Sequence, residues 1–390
     1  MRMARIAVTL VFGLNGVIEA SWATRVPAVA RQVDAGPGGL GLALLGTSIG
    51  MIVFAPIAAR LCARFGARMI VAISGVGCVI ALPLLGLVTS IAWLGAALLL
   101  LGASIGTLDV AMNIGAVAVI RALDRPLMPV FHSAFSFGGL VGALAAGQAA
   151  AWNYSPLRHF LIIALACLVL LAVVSKAVPT THPAARVATH QCPPPYRRKL
   201  LWFLAAIALC SAIAEGACAN WLALFLVRDR GLADGLAATG YATFSLAMAI
   251  SRLSGERLQR RWGGYRLLAC GTSLACGGLL VAVLVPVGIA AYAGFALAGL
   301  GLAFGFPVTL GLASAAGRRA DSSGGERELG FVTTLAYSAF LGGPPVVGGI
   351  AQATNLAVAF GAVAVIVALS VPAVFGARHA QRVETASLGE

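Results

Sequence analysis

Along the chain, apolar residues come in long blocks separated by short stretches rich in charge, proline and glycine. The blocks run at roughly 4–24, 39–59, 67–88, 91–120, 130–152, 157–175, 200–227, 236–254, 266–288, 289–316, 329–353 and 355–376. At ~1.5 Å rise per helical residue, each is long enough to cross ~30 Å of hydrocarbon. The pattern predicts an all-α membrane protein with twelve transmembrane helices. The division between the ninth and tenth rests on the turn-like VPVG, Val285 to Gly288. The first block opens on the basic MRMAR and closes near ASWA, which is the outline of a signal peptide. Asn15 and Glu19 interrupt its apolar centre, so it reads as the first helix.

Composition agrees: 60% of residues are hydrophobic, 10% are charged, and mean hydropathy is +0.95. The net charge of +14 would suggest nucleic acid in a soluble chain. Its placement argues otherwise. With both termini on the cytoplasmic side, only Arg25, Arg31, Arg158, Arg228 and Arg230 of the 27 Lys and Arg residues fall outside, as the positive-inside rule requires. No nucleic-acid partner is expected. Most of the eight cysteines lie within apolar blocks, with no CxxC pair and no histidine at ligand spacing, so neither a metal nor a disulfide framework is implied. No cofactor is expected.

The one long polar stretch between blocks is SKAVPTTHPAARVATHQCPPPYRRK, Ser175 to Lys199. It divides the chain into an N-terminal six-helix bundle (1–175), a cytoplasmic linker (176–199) and a C-terminal six-helix bundle (200–390). The halves match at a shift of about 198 residues, which pairs Trp22 with Trp221, Arg60 with Arg257, Arg64 with Arg261, Gly66 with Gly263, Gly102 with Gly301 and Gly106 with Gly305.

Parallel six-helix repeats joined by a cytoplasmic linker resemble the plan of major facilitator superfamily transporters, with substrate bound between the halves near the bilayer midplane. ARLCARFGAR, Ala59 to Arg68, is similar to that family's G-x-x-x-D-R-x-G-R-R loop, with Ala59 in place of the glycine and Ala63 in place of the aspartate. GERLQRRWGGYR, Gly255 to Arg266, is its looser second copy. The resemblance implies gating roles for Arg60, Arg64, Gly66, Arg257, Arg261 and Gly263. WATRVP, LDVAMN, MPVFHSAFSFGGLVGA and FLGGPPVVGG resemble the bacterial branch related to fucose permease, which includes rhizopine-exporter-like proteins and handles sugars and polyols.

Three acids fall inside apolar blocks: Glu19, Asp109 and Glu215. Each would cost ~2.5–3.5 kcal/mol if it faced lipid charged at the bilayer centre, so each is expected to face protein or water. No Lys or Arg is read well inside a span as a partner. Such acids are candidates for taking up and releasing protons, although one could also remain a permanently protonated hydrogen-bond donor near a kink. Asn15 lies one turn from Glu19, Asn113 one turn from Asp109, and Ser211 one turn from Glu215. Counted within its block, Glu19 sits about 7 Å beyond the helix centre, toward the outside, at ~1.5 Å per residue.

The resemblance implies that the first, fourth, seventh and tenth helices line a central cavity. It also implies that acids on the first and fourth helices, here Glu19 and Asp109, serve proton coupling. Asn15, Trp22, Asn113, Gln148, Glu215, Asn220, Trp221, Tyr241 and Tyr337 are the candidate substrate-binding residues. Asn113 and Asn220 could instead join helices, and Trp22 and Trp221 could belong to an interfacial belt. His132 reads as a cap near a helix start. Pro344 and Pro345 mark either close packing or a gating bend in the eleventh helix.

No Walker A loop, no HExxH, no nucleophile elbow and no paired catalytic carboxylates are read, so an enzyme and an ATP-driven pump are disfavoured. The expected function is proton-coupled secondary transport of a sugar, polyol or amino-polyol across the bacterial inner membrane. Proton-driven multidrug or metabolite efflux is the alternative. The expected partners are a small-molecule substrate, protons and lipid, with the chain acting as a monomer. Sodium stays open as coupling ion, since carboxylates also bind it.

Overall fold

The computed structural model describes residues 2–123, 127–180, 195–317 and 325–386. Thirteen α-helices form twelve spans: α1 Arg2–Gln32, α2 Pro37–Phe65, α3 Ala67–Leu87, α4 Ile91–Leu123, α5 Met128–Ala151, α6 Pro156–Val174, α7 Lys199–Arg228, α8 Asp234–Trp262, α9 Gly264–Leu284, α10 Gly288–Leu302, α11 Gly305–Ala316, α12 Glu326–Ala353 and α13 Leu356–Ala386. The predicted ninth-to-tenth boundary holds. The tenth span is broken at Ala303 and Phe304 into α10 and α11, which sequence reading did not foresee.

Local chemistry places the ends. Pro37 and Pro156 open α2 and α6 in the first turn, where the missing N–H costs nothing, and Ser155 Oγ caps α6 by accepting from Arg158 N at 3.3 Å. Gly66, with φ 81° and ψ 151°, separates α2 from α3; Gly263, with φ 76° and ψ 157°, separates α8 from α9. Both lie where a side chain would be strained, so the matched glycines of the two repeats make the same corner.

Each half repeats one packing scheme. α1 packs on α5 and α6, α2 on α4, and α3 on α4 and α6; in the second half α7 packs on α12 and α13, α8 on α10, and α9 on α10 and α13. Glycines let the backbones approach: a Cβ on Gly138 would lie 2.0 Å from Gly13 O, and one on Gly16 2.0 Å from Phe135 O, so α1 and α5 touch main chain to main chain. The halves meet along α5 with α8, α2 with α12, and α1 with α7 and α8. The outer helices show their apolar side chains to the outside, among them Ile73, Ile80, Leu165, Val173, Leu284, Val365 and Leu369. On an isolated soluble surface that area would be a liability; in a bilayer it is the lipid contact.

Among the described residues, ten spans are long and apolar enough to cross a membrane by length and composition. The other two, α8 and α12, line the space between the halves, which explains their polarity. α12 runs as one helix through Pro344 and Pro345, where it packs closely on Gly41 of α2. One sequence reading needs correction. α1 continues through Pro27 to Gln32, which leaves Glu19 within about 3 Å of its helix centre rather than 7 Å beyond it.

Candidate functional site

Between the halves lies a cavity of about 2080 Å³. Its wall includes Arg121, Met128 and Pro129 of the first half and Gln259, Ser314 and Leu329 of the second, all near the helix ends shared with Arg2 and Ala386. That end is open. The opposite end is closed by contacts between the halves. Arg31 pairs with Asp234 (2.5 Å), Arg228 donates to Ala35 O (3.2 Å) and Gly38 N donates to Gln352 Oε1 (3.2 Å); at the depth of the cavity itself, Ser48 Oγ donates to Phe340 O between α2 and α12. α2 and α12 touch at two glycines at the closed end. A Cβ on Gly41 would lie 2.9 Å from Pro344 O, and one on Gly348 2.6 Å from Pro37 O.

Helical rise sorts the lining residues by depth. At ~1.5 Å per residue from the open helix ends, Asn113, Tyr337 and Arg252 lie about 15–17 Å in, Asp109, Glu215 and Glu19 about 21–26 Å in, and Trp22, Tyr241 and Trp221 about 30–33 Å in. The three carboxylates thus share one level below an aromatic layer at the closed end. Trp22 and Trp221 are both buried in the cavity wall, not in an interfacial belt, and neither indole N–H has a hydrogen-bond partner among the described residues. Asn15 Oδ1 and Thr47 Oγ1 are likewise shielded and unpartnered. Such groups cost ~1–3 kcal/mol each when left unmet.

The carboxylates differ in their company. Asn113 Nδ2 donates to Asp109 Oδ1 (3.2 Å) and to Asp109 O (2.8 Å), as the i, i+4 spacing predicts. Among the described residues, neither Asp109 nor Glu19 has a Lys or Arg within ion-pair distance. Glu215 has one. Arg252 Nη2 donates to Glu215 Oε1 at 2.9 Å, which overturns the reading that no cation lies inside a span. The eighth block ends at 254 by hydropathy, but α8 continues to Trp262, so Arg252 lies well within it. Ser211 does not serve Glu215; its Oγ faces Gly305 in a small pocket beside the break in the tenth span.

Of the other predicted residues, Asn15, Asn220, Tyr241, Tyr337 and Pro344 line the cavity; Asn220 Nδ2 bonds its own helix at Gly216 O (2.8 Å). Gln148 does not: it is exposed near the end of α5, outside the cavity. His132 is not a cap; it lies one turn inside α5, edge-on to Phe12 with centroids 5.3 Å apart, and faces the cavity. Arg60, Arg64, Arg257 and Arg261 are exposed at the open end, flanking the Gly66 and Gly263 corners. Sequence reading missed Arg252, Ser136, Thr47, Phe306 and Phe340 in the wall.

The letters of a nucleophile elbow, G-x-S-x-G, do occur twice, in GTSIG (46–50) and GASIG (102–106). Both strings lie mid-helix in α2 and α4, with no strand-to-helix turn. They are packing devices: a Cβ on Gly46 would lie 2.2 Å from Gly95 O and one on Gly102 2.1 Å from Thr47 O.

Comparison with known proteins agrees with this architecture. An uncharacterized MFS-type transporter of Yersinia pestis is 33% identical over 93% of this chain and 92% of its own length. Membrane protein MosC of Rhizobium meliloti is 30% identical over 90% of this chain and 84% of its own. Among solved structures, a bacterial homolog of the human lysosomal transporter Spinster, inward-facing and unoccupied, superposes with TM-score 0.76 at 14% identity, covering 96% of each chain. The nucleoside transporter NupG superposes with TM-score 0.70 at 13% identity, covering 97% of this chain and 99% of its own. Residues 8–325 match the Major Facilitator Superfamily, and with its twelve spans, paired bundles and central cavity the chain belongs to that family of membrane transporters.

Proposed function

We propose that the chain is a proton-coupled secondary transporter that moves a small polar organic solute, a sugar, polyol or amino-polyol, across the bacterial inner membrane by alternating access. The observation that carries this reading is the pair Glu19 and Asp109, set at mid-depth in a one-ended cavity with no cationic partner among the described residues. With the Arg252 charge taken up by Glu215, the cavity keeps two carboxylates in excess, which suits protons and neutral or amine-bearing solutes better than anions. Asn15, Asn113, Asn220, Trp22 and Trp221 line the cavity, and their amide and indole groups are of the kinds that bond hydroxyls.

A thermal-shift screen against sugars, polyols, inosamines and cationic drugs tests the substrate class, because a ligand that binds the native state raises the melting temperature. Stabilisation by polyhydroxylated solutes supports the reading. Stabilisation by cationic drugs alone favours the efflux antiporter.

Both termini are assigned to the cytoplasm, so the cavity opens inward. In a background lacking the other cysteines, an impermeant maleimide should reach Cys192, in the linker and outside the described residues, from the cytoplasm. Labelling from the periplasm alone would reverse the orientation. The glycine contact at the closed end gives a second expectation. Gly348→Val should wedge α2 from α12 and populate the outward-open state, so that Ala35→Cys, buried in this state, is alkylated faster from outside. An unchanged rate would remove this contact from the gate.

A further inference from the structure

Arg252 touches more than the cavity. Its guanidinium donates from Nη2 to Glu215 Oε1 on α7 and from Nη1 to Ser136 Oγ on α5, both at 2.9 Å. Glu215 belongs to the same half as Arg252, and Ser136 to the other. One planar group therefore holds a carboxylate of the cavity with one edge and the opposing half with another.

The place of that contact matters. α5 and α8 run antiparallel along the seam between the halves. Near the closed end, a Cβ on Gly147 would lie 3.1 Å from Gly235 O; further along, one on Gly139 would lie 3.2 Å from Ser245 Oγ. Ser136 with Arg252 makes a further contact toward the open end. Beyond it, Pro129 and His132 of α5 and Gly255, Glu256 and Gln259 of α8 line the open cavity. Gly139, Ser245, Ser136 and Arg252 all line the cavity as well, so the bond stands in the cavity wall on the open side of the glycine contacts, where a rocking motion about the seam changes the spacing of the halves.

We propose that Arg252 is a coupling residue of transport: it transmits the state of Glu215 in the cavity to the α5–α8 seam between the halves. A hydroxyl or amine of the solute that takes up the Glu215 carboxylate withdraws a partner from Arg252, which changes its hold on Ser136 and with it the balance between the inward-open and outward-open states. This rests on the alternating-access reading and is independent of the substrate assignment. A purely structural ion pair would stabilise the second half alone and would leave the seam indifferent to Glu215.

The test is a double-mutant cycle that needs no ligand. In a background free of other cysteines, Ala35→Cys at the closed end reports outward opening through its rate of alkylation by an impermeant maleimide in proteoliposomes. Glu215→Gln and Ser136→Ala should each change that rate by at least about fivefold. Because both act through Arg252, the double variant should change it no further than the larger single effect. In an Arg252→Gln background, neither substitution should have any effect. Should that variant fail to fold, the cycle between Glu215→Gln and Ser136→Ala decides alone. Multiplicative effects, or no effect of either single variant, would overturn the proposal. If Ala35→Cys is never alkylated in any background, including Gly348→Val, the alternating-access reading falls with it.

Discussion

Proteoliposomes carrying Asp109→Asn or Glu19→Gln are expected to lose solute movement driven by an imposed pH gradient, down to the level of empty vesicles, while the protein remains folded and inserted. Each amide keeps the size and much of the hydrogen bonding of the acid but cannot ionise, so the loss isolates the protonation step. At Asp109 the test is unusually clean. Its partner is Asn113 Nδ2, which can donate equally well to the amide oxygen of an asparagine, so the local helix contact survives. At Glu19 no cation is stranded by the change, because none is paired with it among the described residues. The melting temperatures of both variants should therefore stay close to wild type. Transport with unchanged pH dependence in both would place proton coupling elsewhere.

Glu215→Gln is expected to act differently, by weakening solute binding while leaving pH coupling largely intact. Its carboxylate stands at the depth of Glu19 and Asp109 but is already held by Arg252, so it is suited to arranging a ligand rather than to carrying the proton. Breaking a fully buried pair costs about 3–5 kcal/mol. Here the side chains are 11% and 30% exposed along an open cavity, which lowers the cost. Loss of a charged hydrogen bond to the solute, ~1.5–3 kcal/mol, corresponds to roughly a 10- to 100-fold weaker affinity. Counterflow exchanges solute without net proton movement and so separates the two roles. Glu215→Gln should impair it, whereas Asp109→Asn should spare it. The reverse pattern would reverse the assignment.

Much of this architecture is legible in the sequence because a bilayer leaves the chain few options. Apolar blocks of fixed length, charge confined mostly to one side and matched landmarks such as Trp22 with Trp221 and Gly66 with Gly263 specify twelve spans in two repeats. The intramembrane acids stand out for the same reason: a charge among apolar residues requires a purpose. What hydropathy hides is a polar helix facing a water-filled space. α8 reads as ending near 254 because its last turns carry Arg257, Arg260 and Arg261, and this conceals the depth of Arg252. α1 reads as ending near 24, although Pro27 is accommodated within a helix that reaches Gln32. Gln148 lies on the fifth helix, but helix number does not say on which face a residue falls, and this one is exposed outside the cavity. Ser211 shares a helix face with Glu215 by spacing, yet the break in the tenth span draws it into a different pocket. The short break at Ala303 and Phe304 is missed because its residues are as apolar as any helix interior, although Gly301, Gly305 and Pro307 around it are the signal that hydropathy passes over.

The central claim is that solute and protons move together through Glu19 and Asp109, and the most direct measurement follows the protons. Proteoliposomes are loaded with a trapped pH-sensitive dye, voltage is clamped with potassium and valinomycin, and no pH gradient is imposed. A solute identified by thermal shift is then added outside. The account predicts that internal pH changes in step with solute movement in the wild type, and that Asp109→Asn vesicles preloaded with the solute exchange it with no pH change. Solute movement through the wild type at constant internal pH would contradict it.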